Sequence, residues 1–476
     1  FGPLSGIPIA GRGRTVLFAT QIEGPNVESA SDSAICFYDG SSLRVVIREG
    51  DPAPHIGQEA RLADLPSGLE FRVAADGDVI ITARLTGGPF DLEIDAGVWR
   101  WSPANGFALL GHSGQEAPGG DAHWTFLTGE VDSGTPGRGV LSGWLDSATG
   151  YKNTYSHDHG LWIESGTDLE RLGVSGDHAP GFPPDVNFES FAYPVGTEDR
   201  SWFSSRVAGP DAFSASGVWR TTGGEPVPVT LSGDPVPVGP PDAPDGATMG
   251  LCSLLRANGR GALVIRSRIE TDCGNRCASH GLFVVPPNGS MQPLGYNRAP
   301  GLPGMDQELS IAGIVSALLN NRNQIAIEAA VEPTAGLGGV LGWDPLRGMF
   351  PIVVPGTRIE TEPGLIRVVE SAALVRSKAP YDETASGLDE NGILTLTVAF
   401  SDRRDALIRL AWTDARDATF PCRADVNLDD TVDTRDVVAF LNLWSGRGWG
   451  ADFTDDGAID TRDVVAFLNS WTEGCD

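Results

Sequence analysis

Lysine is almost missing from this 476-residue chain: Lys152 and Lys378 are the only two. Arginine therefore carries nearly all the positive charge, and it is outnumbered. The chain holds 34 basic and 63 acidic residues, for a formal net charge of −29. So acidic a surface repels nucleic acid and anionic membranes, and neither is expected as a partner. Long apolar runs are missing as well: no stretch of eighteen apolar residues occurs, so no membrane insertion is expected. Cysteine is scarce but even in number, at six, which fits an oxidising compartment. The common catalytic signatures are absent too. There is no G-x-S-x-G elbow, no H-E-x-x-H, no P-loop and no glycine-rich dinucleotide turn after a strand. A sialidase-type Asp-box turn is not recognisable either, and no long amphipathic helical pattern precedes residue 430.

What the chain has in plenty is glycine (61) and proline (34), bounding short alternating or apolar segments. That is an all-β signature. A small residue followed by apolar or aromatic ones recurs at Ala34-Ile35-Cys36, Gly97-Val98-Trp99, Gly160-Leu161-Trp162, Gly217-Val218-Trp219, Gly281-Leu282-Phe283, Gly339-Val340-Leu341 and Ala406-Leu407-Ile408. The steps are 63, 63, 57, 64, 58 and 67 residues, which makes seven units. A G-D-x-A-P-like turn follows most of them, as at Gly50-Asp51-Pro52-Ala53-Pro54 and at residues 114–118, 176–180 and 233–237, with weaker forms at Gly295 and Gly356. Each unit has room for about four strands. One such sheet cannot bury both faces, whereas a ring of stacked sheets can. The expected fold is mainly β: a seven-bladed β-propeller over residues 1–415, with six or eight blades as the alternative. The units resemble the NxxGxxAF tandem-repeat secreted proteins, with Asn258 and Gly261 fitting that pattern and Asn321 its first position. The seventh unit has no sequence for its outer strand. Residues 1–10 are expected to close the ring there; a strand from another chain is the alternative.

The last tenth of the chain reads differently. The segment D-T-R-D-V-V-A-F-L-N occurs twice without change, at 433–442 and 460–469. In the first copy Asp425, Asn427, Asp429, Asp433 and Asp436 fall at positions 1, 3, 5, 9 and 12 of a twelve-residue loop, with the Thr431 carbonyl at position 7. In the second, Asp452, Thr454, Asp456, Asp460 and Asp463 take those places, with Ala458 at position 7. This spacing wraps oxygen ligands around a hard cation, and calcium fits better than magnesium, so two Ca2+ ions are expected. Asp430 replaces the usual glycine at position 6 of the first loop, and neutral Thr454 is a weaker ligand in the second. After each loop a helix is expected, with Val437, Phe440, Leu441 and Trp444, and likewise Val464, Phe467, Leu468 and Trp471, on its apolar face. So small a core needs metal or a covalent staple. Cys422 and Cys475 bracket the pair, and a bridge between them would contribute roughly 4 kcal/mol in the loop-entropy model. Cys273 and Cys277 can close a second, small loop; Cys36 and Cys252 remain.

These residues resemble a type I dockerin, of the kind that anchors some secreted bacterial proteins at their C-terminus. The resemblance covers residues 422–476, with 416–421 as a short linker. It implies a small α domain with paired EF-hand-like calcium loops, and a cohesin-like or other surface protein as partner. It also implies that loop positions 10 and 11, here Thr434, Arg435, Thr461 and Arg462, help to recognise that partner. Calcium loops and paired cysteines suggest export to the cell surface or beyond, with a leader removed ahead of Phe1. No catalytic constellation emerges. His157 and His159 flank Asp158 and could hold a metal, and Cys273, Cys277 and His280 lack a clear fourth zinc ligand. Pairs such as Asp91 with Glu93 or Glu360 with Glu362 are unremarkable among so many acids. Trp99, Trp101, Trp162 and Trp219 are better suited to packing than to stacking sugars. The expected role is non-catalytic adhesion, display or scaffold building. The alternatives are a dockerin-tethered carbohydrate-active enzyme or lectin, and a filament subunit that self-associates by strand exchange.

Overall fold

The computed structural model describes residues 9–10, 16–21, 33–39, 41–63, 70–73, 78–90, 95–130, 139–146, 158–165, 168–196, 200–210, 215–221, 224–237, 246–271, 279–287, 290–297, 310–332, 337–344, 348–374, 388, 392–412, 424, 426, 432–445, 451, 453–454 and 459–473. The strands form seven antiparallel sheets, numbered 1 to 7 in chain order, over residues 9–48, 61–112, 124–174, 187–231, 248–296, 310–353 and 358–411. Within a sheet, chain neighbours are sheet neighbours. Sheet 2 alone departs from this, because Arg61–Ala63 and Glu70–Val73 both pair with Val79–Thr86. This up-and-down order is that of propeller blades. The chain divides into two compact units. The first comprises Phe1–Asp234, Met249–Leu254 and Arg376–Glu383, and the second Pro235–Thr248, Leu255–Val375 and Thr384–Asp476.

In each unit, successive sheets are stacked face on face, and strand periodicity shows how. Val79 and Ile81 join Ile35, Phe37 and Trp99 in a core between sheets 1 and 2. Ile80, between them in sequence, points the other way into a core with Trp124, Leu141 and Trp162 of sheet 3. Leu161 then leaves Trp162 to pack on Phe188, Phe203 and Trp219 of sheet 4. In the second unit Ile325 and Ile327 face sheet 5, while Ala326 faces sheet 7. Sheets buried on both faces explain why so many strands read as continuous apolar runs rather than as an alternation.

The repeated G-[VL]-W segment lies in the third strand of its sheet, and its composition has a steric cause. Residues i and i+2 share a strand face, and the tryptophan ring folds back over the glycine. A Cβ on Gly97 would sit 2.4 Å from the Trp99 ring, and one on Gly160 would sit 2.6 Å from Trp162. The indole then bonds to the turn that ends the preceding unit. Trp99, Trp162 and Trp219 donate Nε1–H to the carbonyls of Pro54, Pro118 and Pro180 at 2.8, 2.9 and 3.0 Å. The two landmarks of the repeat are thus hydrogen-bonded to each other. The turn's own glycine has a left-handed backbone, with φ 83° at Gly50 and 93° at Gly176. Its N–H reaches the next sheet, Gly176 donating to the Phe188 carbonyl at 2.9 Å. The turn aspartate caps the strand it leaves, as where Val174 N–H donates to Asp177 at 2.9 Å.

The Asn-rich turns form a second connector. Asn258 is fully buried; its Oδ1 accepts N–H groups from Arg260 and Ala262, and its Nδ2 donates to the Asn320 carbonyl and to Asn323 Oδ1 at 2.9 and 2.8 Å. Asn320 repeats the pattern on Arg322 and Gln324. The counterpart of Asn258 in that unit is therefore Asn320, the residue before Asn321. Asn321 instead accepts Gly259 N–H at 2.8 Å.

Sheet 7 lacks a strand beyond Asp405–Ala411, which pairs only with Ile393–Phe400 among the described residues. The exposed side chains of that strand include Leu407, at 66%. Its fourth strand, Arg358–Glu362, lies at the opposite edge as a hairpin with Leu365–Leu374. Ile9–Ala10 pairs with Leu17 and Val16 of sheet 1 rather than with sheet 7. The rest of the expected closing segment, residues 1–8, lies outside the described residues.

Candidate functional site

The duplicated segment builds two helices, α1 (Thr434–Ser445) and α2 (Thr461–Glu473), each opened by the same device. Asp433 is the N-cap of α1 and accepts Arg435 N–H at 2.7 Å, while Asp436 accepts Asp433 N–H at 2.8 Å. Asp460 and Asp463 repeat this at the same 2.7 and 2.8 Å. Both are capping boxes with aspartate at N3, so D-x-x-D starts a helix as well as ending a loop. Asp436 and Asp463 are fully buried. The Asp463 carboxylate also accepts the Thr454 N–H and hydroxyl, both at 2.9 Å. No arginine pairs with Asp463 among the described residues. A buried carboxylate held by neutral donors alone fits a neighbouring metal cation.

The helices brace each other reciprocally. Trp444 Nε1–H donates to the Asp460 carbonyl and Trp471 Nε1–H to the Asp433 carbonyl, both at 3.0 Å. Between them Phe440 and Phe467 stack with centroids 4.1 Å apart, and Phe453 meets both edge-on. Leu441 and Leu468, expected in this core, are instead 45% and 41% exposed. The buried stripe runs through Val437, Phe440, Leu443 and Trp444, which turns Leu441 outward. On each helix an exposed stripe remains at i, i+4 and i+7: Thr434, Val438 and Leu441, and Thr461, Val465 and Leu468.

Arg435 and Arg462, also exposed, fold back onto Asp433 and Asp460 at 2.8 and 2.7 Å. Hydrogen bonds from the arginine side chain, and then from its backbone N–H, hold each aspartate below the usual carboxylate range. Of the other expected loop ligands, Asp425, Asn427, Asp429, Thr431, Asp452, Asp456 and Ala458 lie outside the described residues, as do Cys422, Cys475, Cys273 and Cys277. No group of three metal-ligating side chains occurs among the described residues. Cys36 and Cys252 are buried free thiols.

In the body, His159 and Asp158 separate. They are adjacent on one strand and point to opposite faces; His157 lies outside the described residues. His159 instead meets Ser142, which sequence did not single out, with Nε2 2.7 Å from the hydroxyl oxygen. Phe191 N–H donates to Nδ1 at 3.1 Å, so Nδ1 is unprotonated and Nε2 carries the hydrogen. The imidazole therefore donates to the serine and cannot take its proton. Burial lowers its pKa from 6.5 to about 4, which keeps it neutral. This is a strut between sheets 3 and 4, not a nucleophile and base.

The other candidates among the described residues are also structural. Asp91 and Glu93 lie outside the described residues, and Glu360 accepts Gly364 N–H at 2.6 Å in its hairpin turn. His280 lies opposite Arg268 in the ladder, and burial together with Arg266 and Arg268 lowers its pKa. That surrounding is unfavourable to a cation. Trp99, Trp101, Trp162 and Trp219 are all buried, as their packing role requires. Among the described residues, Trp144 is the exposed tryptophan, at 44%.

A family model for a family of unknown function, DUF7453, matches residues 5–296, more than half of the chain. The chain belongs to DUF7453. The DUF7453 match ends with the last strand of sheet 5, Gln292–Tyr296, so sheets 6 and 7 and the helical tail lie beyond it. No curated protein matches this DUF7453 member in sequence. Among solved structures it is similar to the β-propeller domain of the Trilobed protease from Pyrococcus furiosus, at 11% identity and a TM-score of 0.42, over 88% of this chain and 100% of that one. Acylaminoacyl peptidase from Pyrococcus horikoshii gives 12% and 0.43, over 87% of this chain and 53% of the peptidase. The Dos1 propeller gives 11% and 0.35, over 86% and 93%. None of these likenesses bears on activity.

Proposed function

We propose that this DUF7453 member is an exported, non-catalytic protein whose seven sheets are the blades of a β-propeller. In this reading its tail is a dockerin-like module that attaches it to a partner in a calcium-dependent way. The observation that carries the reading is the reciprocal helix pair. Two identical capping boxes place Asp436 and Asp463 in buried positions, and leave two equivalent exposed stripes that begin at Thr434 and Thr461. Asp436, Asp463, Thr454 and the loop residues Asp425, Asn427, Asp429, Asp452 and Asp456 would hold two calcium ions. Bound calcium would supply the positive charge that joins each loop to its helix. Asp433 and Asp460, already tied to arginine and to helix N–H groups, suit the position that EF-hand loops often fill through water. Thr434, Val438 and Leu441, with Arg435 beside them, and their counterparts on α2 would meet the partner, a cohesin-like or other surface protein.

Chelation tests the metal. Removing calcium is expected to open residues 422–476 to protease while the body stays resistant; a tail equally resistant with and without chelator would overturn the assignment. Capture tests the partner. The Asp436→Ala, Asp463→Ala double variant should retain nothing from an extract of the native source that the unaltered chain retains with calcium. A second reading, strand exchange between copies, is favoured by Asp405–Ala411, which is paired on one side only among the described residues. Concentration-dependent association that an Ile408→Pro change abolishes would support it.

A further inference from the structure

We propose that Arg84, Phe126 and Trp144 form a binding site for a glycan bearing carboxylate groups, of the uronate class. The three residues come from adjacent sheets of one unit. Arg84 lies on Val79–Thr86 of sheet 2, Phe126 on Trp124–Glu130 of sheet 3, and Trp144 on Val140–Leu145 beside it. Phe126 and Trp144 are direct partners across the ladder. Their rings meet edge to face at 6.2 Å, and the Arg84 guanidinium stands over Phe126 at 5.0 Å from its centroid.

Two independent observations point to a ligand. The first is Trp144 itself. The chain buries its other described tryptophans wholly or in part, yet leaves this one 44% exposed on a rigid strand, backed by a second ring. A flat, exposed indole held in this way presents a face on which the C–H groups of a sugar ring can stack. The second is Arg84. Its Nη1 is shielded from water and has no hydrogen-bond partner, and no acid pairs with Arg84 among the described residues. In a chain this acidic, an arginine that meets no carboxylate among the described residues keeps its charge for something else. A guanidinium fork suits a carboxylate in two-point contact. The half-exposed His123–Asp146 pair, at 3.5 Å and flanking the ends of the same two strands, adds polar groups of the kind sugar hydroxyls use. A carboxylate for the arginine and a pyranose face for the indole together describe an acidic sugar; a neutral glycan or an acidic peptide would meet half of the site.

Calorimetric titration of the full chain with oligogalacturonate, its methyl-esterified form and polyglutamate tests this. Oligogalacturonate is expected to bind at least roughly tenfold more tightly than either of the others, as one charge-assisted contact predicts. Trp144→Ala should abolish binding of both sugars. Arg84→Gln should bring oligogalacturonate down to the affinity of the ester. Thermal melting of both variants near the native temperature would show that neither loss comes from misfolding. Binding absent in the native chain, equal affinity for acid and ester, equal affinity for polyglutamate, or native binding by Trp144→Ala would each overturn the proposal.

Discussion

At the scale of single residues, His159 makes the sharpest prediction. Its ordinary pKa is 6.5, and in the folded chain burial holds it at about 4. Between those values the unfolded chain binds a proton that the folded chain refuses. Stability should therefore be full above pH 6.5 and fall as pH drops toward 4. Denaturant unfolding across that range should show the slope, and His159→Gln should flatten it even if it lowers stability at neutral pH. A second residue-scale prediction concerns Gly217, whose Cβ would lie 2.7 Å from both Trp219 and Leu231. Gly217→Ala should cost about 1–3 kcal/mol by overpacking, read as a lower denaturation midpoint. Residues of the first kind were not legible in the sequence. The meeting of Ser142 with His159, or of Arg84 with Phe126, depends on ladder register and on which sheet faces which. Gly217 was legible because its constraint is local, between residues i and i+2 of one strand.

At the scale of elements, the connectors matter most. Trp99→Phe keeps a ring in the core but leaves the Pro54 carbonyl without its donor, at a cost of about 1–2 kcal/mol. At the same position sheet 5 has Phe283, whose ring has no N–H to donate. In the tail the two tryptophans should behave as equals. Trp444→Phe and Trp471→Phe should lower the melting temperature of the helix pair by similar amounts, because each removes one of two matching bonds. Much of this level could be read from spacing: the strand count per unit, the turns and both helices follow from period and punctuation. Two details could not. Leu441 falls at i+4 from Val437 and passes any test of helical periodicity, yet a partner with so few large side chains covers only a narrow stripe. Asn320 rather than Asn321 is the counterpart of Asn258 because that role is set by which N–H groups the side chain accepts, and both residues are asparagine.

At the scale of the whole molecule, the two kinds of repeat are built on different logics. Within each compact unit the sheets are stacked in series, so one sheet can change by small steps as long as those packed on it accommodate the change. Units with tryptophan, phenylalanine, leucine or isoleucine at the same position coexist for that reason. The helix pair has no third member. The ring at the end of each helix is bonded to the start of the other, so the first copy's capping residue is also part of the second copy's environment. An alteration in one copy is felt at once in its twin, and only a matched alteration restores the fit. The two decapeptides are identical where the seven sheets have drifted apart, because a pair that closes on itself leaves neither half free to wander.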